Sequence, residues 1–417
     1  MNGNDRTITG LVMLAHAMVH TYELSLPILL TVWAVEFSQV SLPLAGTFAV
    51  TSFVLGVVLT AGYAPFGVGA LPGGVLADAY GSRPLIVACL VGMGGSFLAL
   101  ALAPSLLTVA LCLFAWGVSA SVYHPAGLAL ISKGVDERGS AFAYHGIAGN
   151  LGIALGPLAT ALLLFALGDW RLVVAILGVP ALFGAVFAFR VDVDETAAVG
   201  TDGGDARASG SVTSLSEFLS ESKTLFAGLF ALVFGVVMLS GLYYRGFLTF
   251  LPELLAGFDS LAPVEFAGRE LAPSRYVYAG LLMVGVVGQF VGGKLTDRIR
   301  VEWGLVGGYG ALALLALVFL PVATAGLVPL LAICALMGVA LFVVQPFYQA
   351  TVAEYTPAGT RGLSYGYTYL GVFGVGALGG AVAGGLLTFF EGPTALFGVL
   401  AAFGGLASLT GLYLVRQ

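Results

Sequence analysis

Charge is what this chain has least of. Only 9% of its 417 residues are Asp, Glu, Lys or Arg, while 59% are hydrophobic, far from the quarter charged that is usual for a soluble domain. That balance excludes a soluble enzyme and gives no basic surface for nucleic acid. Most of the chain must face lipid or other apolar helices, as in an integral membrane protein. Cysteine is equally scarce. Cys89, Cys112 and Cys334 lie inside apolar runs, at spacings that suit neither a disulfide framework nor a metal knuckle, and read as packing. Also missing are a Walker-type phosphate loop, a nucleophile elbow and a metal-ligand cluster, so no ATP-driven pumping, no hydrolysis, no cofactor and no metal are expected. Energy must come from an ion gradient or from the substrate's own.

What is present is a series of apolar runs long enough to cross a bilayer. Twelve are read, at 8–36, 43–76, 84–103, 105–132, 139–167, 170–190, 224–256, 274–296, 303–324, 327–353, 360–389 and 394–415. The first carries His16, His20 and Glu23 and is too long for a cleaved signal core, so it is expected to stay. With the N-terminus in the cytoplasm, inside segments hold Arg6, Arg83, Lys133, Arg138, Arg190, Arg207, Lys223, Lys294, Arg298, Arg300, Arg361 and Arg416. Outside segments hold only Arg171, Arg269 and Arg275. This positive-inside bias predicts a multi-pass protein of the plasma membrane with both termini cytoplasmic. The acidic pI near 5.2 arises largely in loop residues Asp192, Asp194, Glu195, Asp202 and Asp205, a balance that suits work at high salt.

The chain divides and repeats. Residues 191–223, rich in Asp, Gly, Ser and Thr, read as a flexible cytoplasmic linker between an N-terminal six-helix half (1–190) and a C-terminal one (224–417). "GGVLADAYGSR" at 73–83 is echoed by "GGKLTDRIR" at 292–300, and "GVSASVYHP" at 117–125 by "GVALFVVQP" at 338–346. "RGSAFAYHG" at 138–146 is echoed by "RGLSYGYTY" at 361–369. These echoes set Gln345 opposite His124 and Thr368 opposite His145, and aligning Pro27 with Pro252 sets Arg245 opposite His20. Six helices, a linker and six more predict an all-α, pseudo-symmetric transporter body.

On these motifs the chain resembles the major facilitator superfamily along nearly its whole length. Gly74, Asp78, Gly81 and Arg83 match the signature of the loop between helices two and three, with Ala79 and Ser82 where a basic residue is common. "GNLGIALGPLAT" at 149–160 is similar to the helix-five signature associated with antiporters, through Gly152, Gly156 and Pro157, although Thr160 and Ala161 stand where it ends in glycines. Within the superfamily the chain looks most like the fosmidomycin-resistance efflux group. That likeness rests on His16 with His20, His124 with Pro125, Arg138 with Gly139, and Gly149 with Asn150. It departs where His20 replaces an acidic residue and where Ala126 follows Pro125. The resemblance implies gating contacts on the cytoplasmic side, Asp78 and Arg83 facing helix eleven near Arg361, and Asp297 facing helix five near Arg138.

Read without the resemblance, His16, His20 and Glu23 recur at i, i+4 and i+7 and share one stripe of the first helix. A charge at mid-bilayer costs about 2.5–3.5 kcal/mol, so the stripe must face a cavity or partners. It serves either as a proton site or as packing polar groups; imidazole titrates near neutral pH, which suits the former. His124 beside Pro125 predicts a kink on a cavity wall. His145 shares the glycine stripe of Gly149, Gly152 and Gly156 and reads equally as a functional residue or a structural donor. Arg245 lies well inside a span and needs a counter-charge from Glu23, from an anionic substrate or, less readily, from Glu253; the pair is either a switch or a permanent lock. Tyr22, Tyr123, Tyr144, Tyr243, Tyr244, Gln345, Tyr348, Gln349, Tyr367 and Tyr369 are candidates to line an amphipathic binding site. The leading expectation is a monomeric, proton-coupled exporter of small amphipathic or anionic compounds, ahead of an importer and a non-transporting receptor or scaffold.

Overall fold

The computed structural model describes residues 1–43, 46–199, 215–357 and 360–417, with the backbone alone at Leu215 and Arg361. The first part of the chain forms α1 (Gly3–Glu36), a hairpin of β1 (Gln39–Leu42) and β2 (Gly46–Ala49), α2 (Ser52–Val68), α3 (Ala70–Tyr80) and α4 (Ser82–Ala101). It continues with α5 (Leu106–Ser121), α6 (Tyr123–Gly134), α7 (Arg138–Leu167) and α8 (Trp170–Arg190). The second part forms α9 (Leu215–Phe226), α10 (Phe230–Leu248), α11 (Leu251–Ala256), a hairpin of β3 (Val264–Phe266) and β4 (Arg269–Leu271), and α12 (Pro273–Thr296). After α13 (Val301–Ala323) and α14 (Leu327–Glu354) come α15 (Arg361–Tyr369), a π-helical turn Leu370–Val375, α16 (Leu378–Phe389) and α17 (Thr394–Val415). Among the described residues, eleven helices, some interrupted, are long and apolar enough to span a membrane, and the bent pair α2 and α3 makes a twelfth. Large apolar side chains such as Leu111, Phe183, Phe189 and Leu314 point outward, as lipid-facing surfaces require.

Helix pairing repeats between the two sets. α1 packs on α7, α2 on α5 and α4 on α8; in the same order α10 packs on α16, α12 on α14 and α13 on α17. The sets meet where α2 lies on α16 and α7 on α12. Close approach at the first seam requires glycine: a side chain on Gly67 would strike the Gly374 backbone, and one on Gly384 would strike Ser52.

Several expected boundaries shift. The second span begins at Ser52, behind the β1–β2 hairpin, and bends by 46° where α2 gives way to α3 at Gly69. The fourth is interrupted at Val122, so Pro125 falls in the first turn of α6 and not mid-helix. The break falls where Pro125, lacking an N–H, cannot bond the Ser121 carbonyl four residues earlier, so the proline itself marks the interruption of the span. Within the stretch 191–223, expected to be a flexible linker, the described residues at both ends make defined contacts. Glu195 accepts hydrogen bonds from the Ser82 and Arg83 backbone N–H groups at 2.6 and 2.9 Å, and Asn4 bonds the Asp194 backbone. The amphipathic α9 absorbs the end of the linker and packs Phe226 against Tyr367. Asp202, Asp205 and Arg207 lie outside the described residues.

Candidate functional site

A cavity of about 590 Å³ lies between the two helix sets. It runs from Glu23, half-way along α1, to Ser132, Phe142, Val352 and Tyr365 at the end of the bundle that carries both chain termini. At the opposite end the sets are joined. Phe53 N–H donates to Thr388, Arg275 to Thr31, Tyr278 to the Leu24 carbonyl, and Arg269 to the carbonyl of Ala166.

The helical period brings His16, His20 and Glu23 to the cavity wall as one connected row. His16 Nδ1 lies 2.7 Å from the His145 carbonyl oxygen, which can only accept, so this nitrogen carries the proton. His16 Nε2 is 3.0 Å from His20 Nε2, and His20 Nδ1 is 2.5 Å from Glu23 Oε2. Glu23 Oε1 is ion-paired with Arg245 of α10, both side chains being 2% exposed. The guanidinium stacks 3.8 Å over the Tyr63 ring, and Tyr63 donates its hydroxyl to the Glu23 carbonyl at 2.8 Å. One buried carboxylate therefore joins the imidazole row of the first set to the buried Arg245 of the second.

His124 stacks on Tyr369 with ring centroids 4.8 Å apart and sits edge-on to His16 at 5.1 Å. It is buried, and neither ring nitrogen has a hydrogen-bond partner. His145 lies parallel to His16 at 3.9 Å, with Nε2 unpartnered. The glycine stripe explains that closeness. A Cβ on Gly149 would strike the His16 ring, while Gly152 and Gly156 face the α1 backbone at Ala17 and Thr21. Pro157 follows within α7, and Thr160 donates to Ser25 at 2.7 Å.

Of the other candidates, Tyr243, Tyr244, Gln345, Tyr348, Gln349 and Tyr369 line the cavity. Four tyrosines expected there do not. Tyr22 packs on Phe97 within the first set and bonds the Leu177 carbonyl at 2.9 Å, and Tyr144 is exposed on the outer face of α7. Tyr123 is wholly buried behind His16, its hydroxyl 2.5 Å from the Val12 carbonyl. Tyr367 is engaged by α9 through Ser222, 2.9 Å away. Tyr63, Gln289, Tyr309 and Phe373 complete the site and its backing. Each is a single aromatic or amide in an apolar run, and no spacing marks it.

The expected gating contacts take another form. Asp78 pairs with Lys133 of α6 at 2.7 Å, within its own set. Arg83 bonds the Ala188 and Phe189 carbonyls at 2.8 and 2.5 Å. Gly74 has open space around its Cα, Arg138 bonds the Ala198 carbonyl at 3.1 Å, and Asp297 caps α12 on the exposed surface. Arg361 opens α15, and its side chain lies outside the described residues. Among the described residues, the partners of Asp78 and Arg83 all lie within the first set, and their expected contact near Arg361 falls outside the described side chains.

A bundle of membrane-spanning helices whose two sets enclose a cavity ending on buried ionisable groups half-way along the helices is the body of a membrane transporter, not an enzyme. The profile of the Major Facilitator Superfamily matches residues 24–379, and the chain belongs to that superfamily. It is 29% identical over 317 residues to the uncharacterized MFS-type transporter YfnC of Bacillus subtilis (strain 168), covering 73% of this chain and 71% of that one. Over 117 residues it is 39% identical to the puromycin resistance protein pur8 of Streptomyces alboniger, covering 27% of this chain and 23% of pur8. Among solved structures, a bacterial homolog of the human lysosomal transporter Spinster, inward-facing and occupied, superposes with a TM-score of 0.72 at 14% identity, over 100% of this chain and 98% of that one. A D-xylose-proton symporter superposes with a TM-score of 0.71 at 14% identity, over 99% of this chain and 97% of that one. At these identities the structural likeness shows the fold.

Proposed function

We propose that this chain is a proton-coupled exporter of small amphipathic or anionic compounds, working as a monomer in the plasma membrane with both termini cytoplasmic. The observation that carries this reading is the Glu23–Arg245 pair at the deep end of the cavity, the buried ionic link between the two helix sets. Separating the sets there would strand two opposite charges in an apolar interior. A proton delivered to Glu23 through His20 removes one of those charges and frees Arg245 to meet an anionic or polar compound. The cavity is thereby coupled to a gradient by alternating access.

Support for export comes from the likeness to the fosmidomycin-resistance group and from the partial similarity to a puromycin resistance protein. Tyr244, Tyr348, Tyr369, Gln345 and Gln349 would supply the aromatic and amide wall that amphipathic compounds need. The test is lumenal pH in proteoliposomes holding a preset proton gradient, with fosmidomycin and puromycin added in turn. Compound and protons should move in opposite directions, and Glu23→Gln should abolish the proton signal. Movement in the same direction would make the protein an importer by symport; compound flux without proton movement would refute the coupling. Binding without any flux would make it a receptor.

A further inference from the structure

We propose that His16, His20 and His124 form a binding site for a zinc-class divalent cation, with an anion from the cavity as fourth ligand. The site rests on ring geometry and is independent of which compound the cavity transports. Two acceptors outside the trio orient it: the His145 carbonyl takes the Nδ1 proton of His16 at 2.7 Å, and Glu23 Oε2 takes that of His20 at 2.5 Å. Carbonyl and carboxylate partners of this kind hold ligating imidazoles in metal sites, because they fix the tautomer and leave the other nitrogen bare. The bare Nε2 atoms of His16 and His20 face each other at 3.0 Å. Two nitrogens so placed need one electrophile between them, a proton, which makes the contact a hydrogen bond, or a metal ion in its stead; a tetrahedral zinc ion with Zn–N of about 2.0–2.1 Å would hold them about 3.3 Å apart.

The third nitrogen has its own sign. The ligand atoms of His16, His20 and His124 all lie within 4.8 Å of one another, so a small inward turn of the His124 ring completes the tripod. His124 is 5% exposed, lines the cavity and leaves both ring nitrogens unpartnered, an arrangement that buried polar groups rarely tolerate without a ligand. Three neutral imidazoles favour zinc, cobalt, nickel or copper over magnesium and calcium, which demand oxygen ligands. Because Glu23 is already balanced by Arg245, a dication brings two uncompensated positive charges into a buried site. An anion on the open, cavity-facing position offsets them. All three ligands come from α1 and α6 of the same set, so movement of the two sets leaves the tripod intact.

The test is zinc binding by purified, tag-free protein in nanodiscs with no transported compound, read by calorimetry and by metal content after gel filtration. One ion per chain is expected, with Co²⁺ giving the visible absorption of a tetrahedral site. His20→Asn and His124→Phe should each weaken binding by about tenfold or more, while a variant lacking Cys89, Cys112 and Cys334 binds as wild type. His124→Gln serves where the phenylalanine variant does not fold. Absence of binding, affinity unchanged in the histidine variants, loss in the cysteine-free protein, or displacement by excess Mg²⁺ would each overturn the proposal.

Discussion

The link between the two helix sets makes a quantitative demand on stability. Glu23 and Arg245 are each 2% exposed, so neither charge can be screened by water if the other is removed. Removing one partner of a buried pair costs about 3–5 kcal/mol, nearly all of it the penalty of the charge left behind. Glu23→Gln should fall at the low end of that range, because the amide oxygen can still accept from Arg245 and the guanidinium keeps its stack on Tyr63 at 3.8 Å. Arg245→Met should fall at the high end. It leaves the carboxylate with His20 alone, 2.5 Å away, as a side-chain partner. In the double variant no charge is orphaned, and the principal loss is the cation–π stack, about 2 kcal/mol when desolvated. The double variant should therefore be more stable than Arg245→Met, the second substitution restoring part of what the first removed. Reversible unfolding in detergent, followed by circular dichroism across the four proteins of the cycle, reads this directly. Costs that simply add would show that the two side chains do not depend on each other, and the proposed interlock would fail with them.

Two further predictions concern the surroundings. Gly149→Val forces a side chain into the His16 ring and should cost about 1–3 kcal/mol while lowering transport; Gly146→Ala, where space is open, should leave the melting temperature unchanged or raise it. Asp78 and Lys133 are 45% and 38% exposed, so Asp78→Asn and Lys133→Met should each change stability by less than about 1 kcal/mol. Their transport defects, measured at unchanged compound affinity, should be equal and should not deepen in the double variant; a deeper defect would mean that the two residues act separately.

Polar residues were legible in this sequence where polarity itself was the signal. His16, His20 and Glu23 had to share a face because a helix repeats every 3.6 residues, and the structure sets them in one hydrogen-bonded row. A cation inside a span required a counter-charge, and the scarcity of carboxylates left Glu23 and Glu253 as the side-chain choices. Glu23 holds Arg245 here. Tyr22 and Tyr144 were misjudged for a reason particular to membranes: lipid and protein interior are both apolar, so hydropathy does not say which face of a helix turns inward. Tyr22 turned into its own helix set and Tyr144 toward the outer surface. The partner of Asp78 was hidden for a different reason. Lys133 meets it only because α3 and α6, two short helices produced by breaks at Gly69 and Val122, pack together.

The internal repeat explains how residues so far apart in the chain come to touch, and why they are not alike. The alignment of Pro27 with Pro252 sets Arg245 opposite His20 in the sequence, and in the structure both side chains reach the same carboxylate. Glu23, one helical turn beyond His20, bonds both. The other equivalent positions diverge in the same sense: His124 is answered by Gln345 and His145 by Thr368, all four lining the cavity. An arginine stays charged and an amide stays neutral across the physiological range, whereas imidazole and carboxylate change charge within or near it. Among the described residues that line the cavity, the imidazoles and the carboxylate therefore lie on the first half, and the second half presents hydrogen-bonding amides with Arg245 behind them. In the proposed cycle the first half responds to the gradient and the second to the compound. Moving the imidazole to the other wall, by exchanging His124 for Gln and Gln345 for His, should therefore leave coupling in place, because Glu23 and His20 are untouched. Coupling lost in the exchanged protein, with compound binding intact, would show that the proton site extends beyond Glu23 and His20.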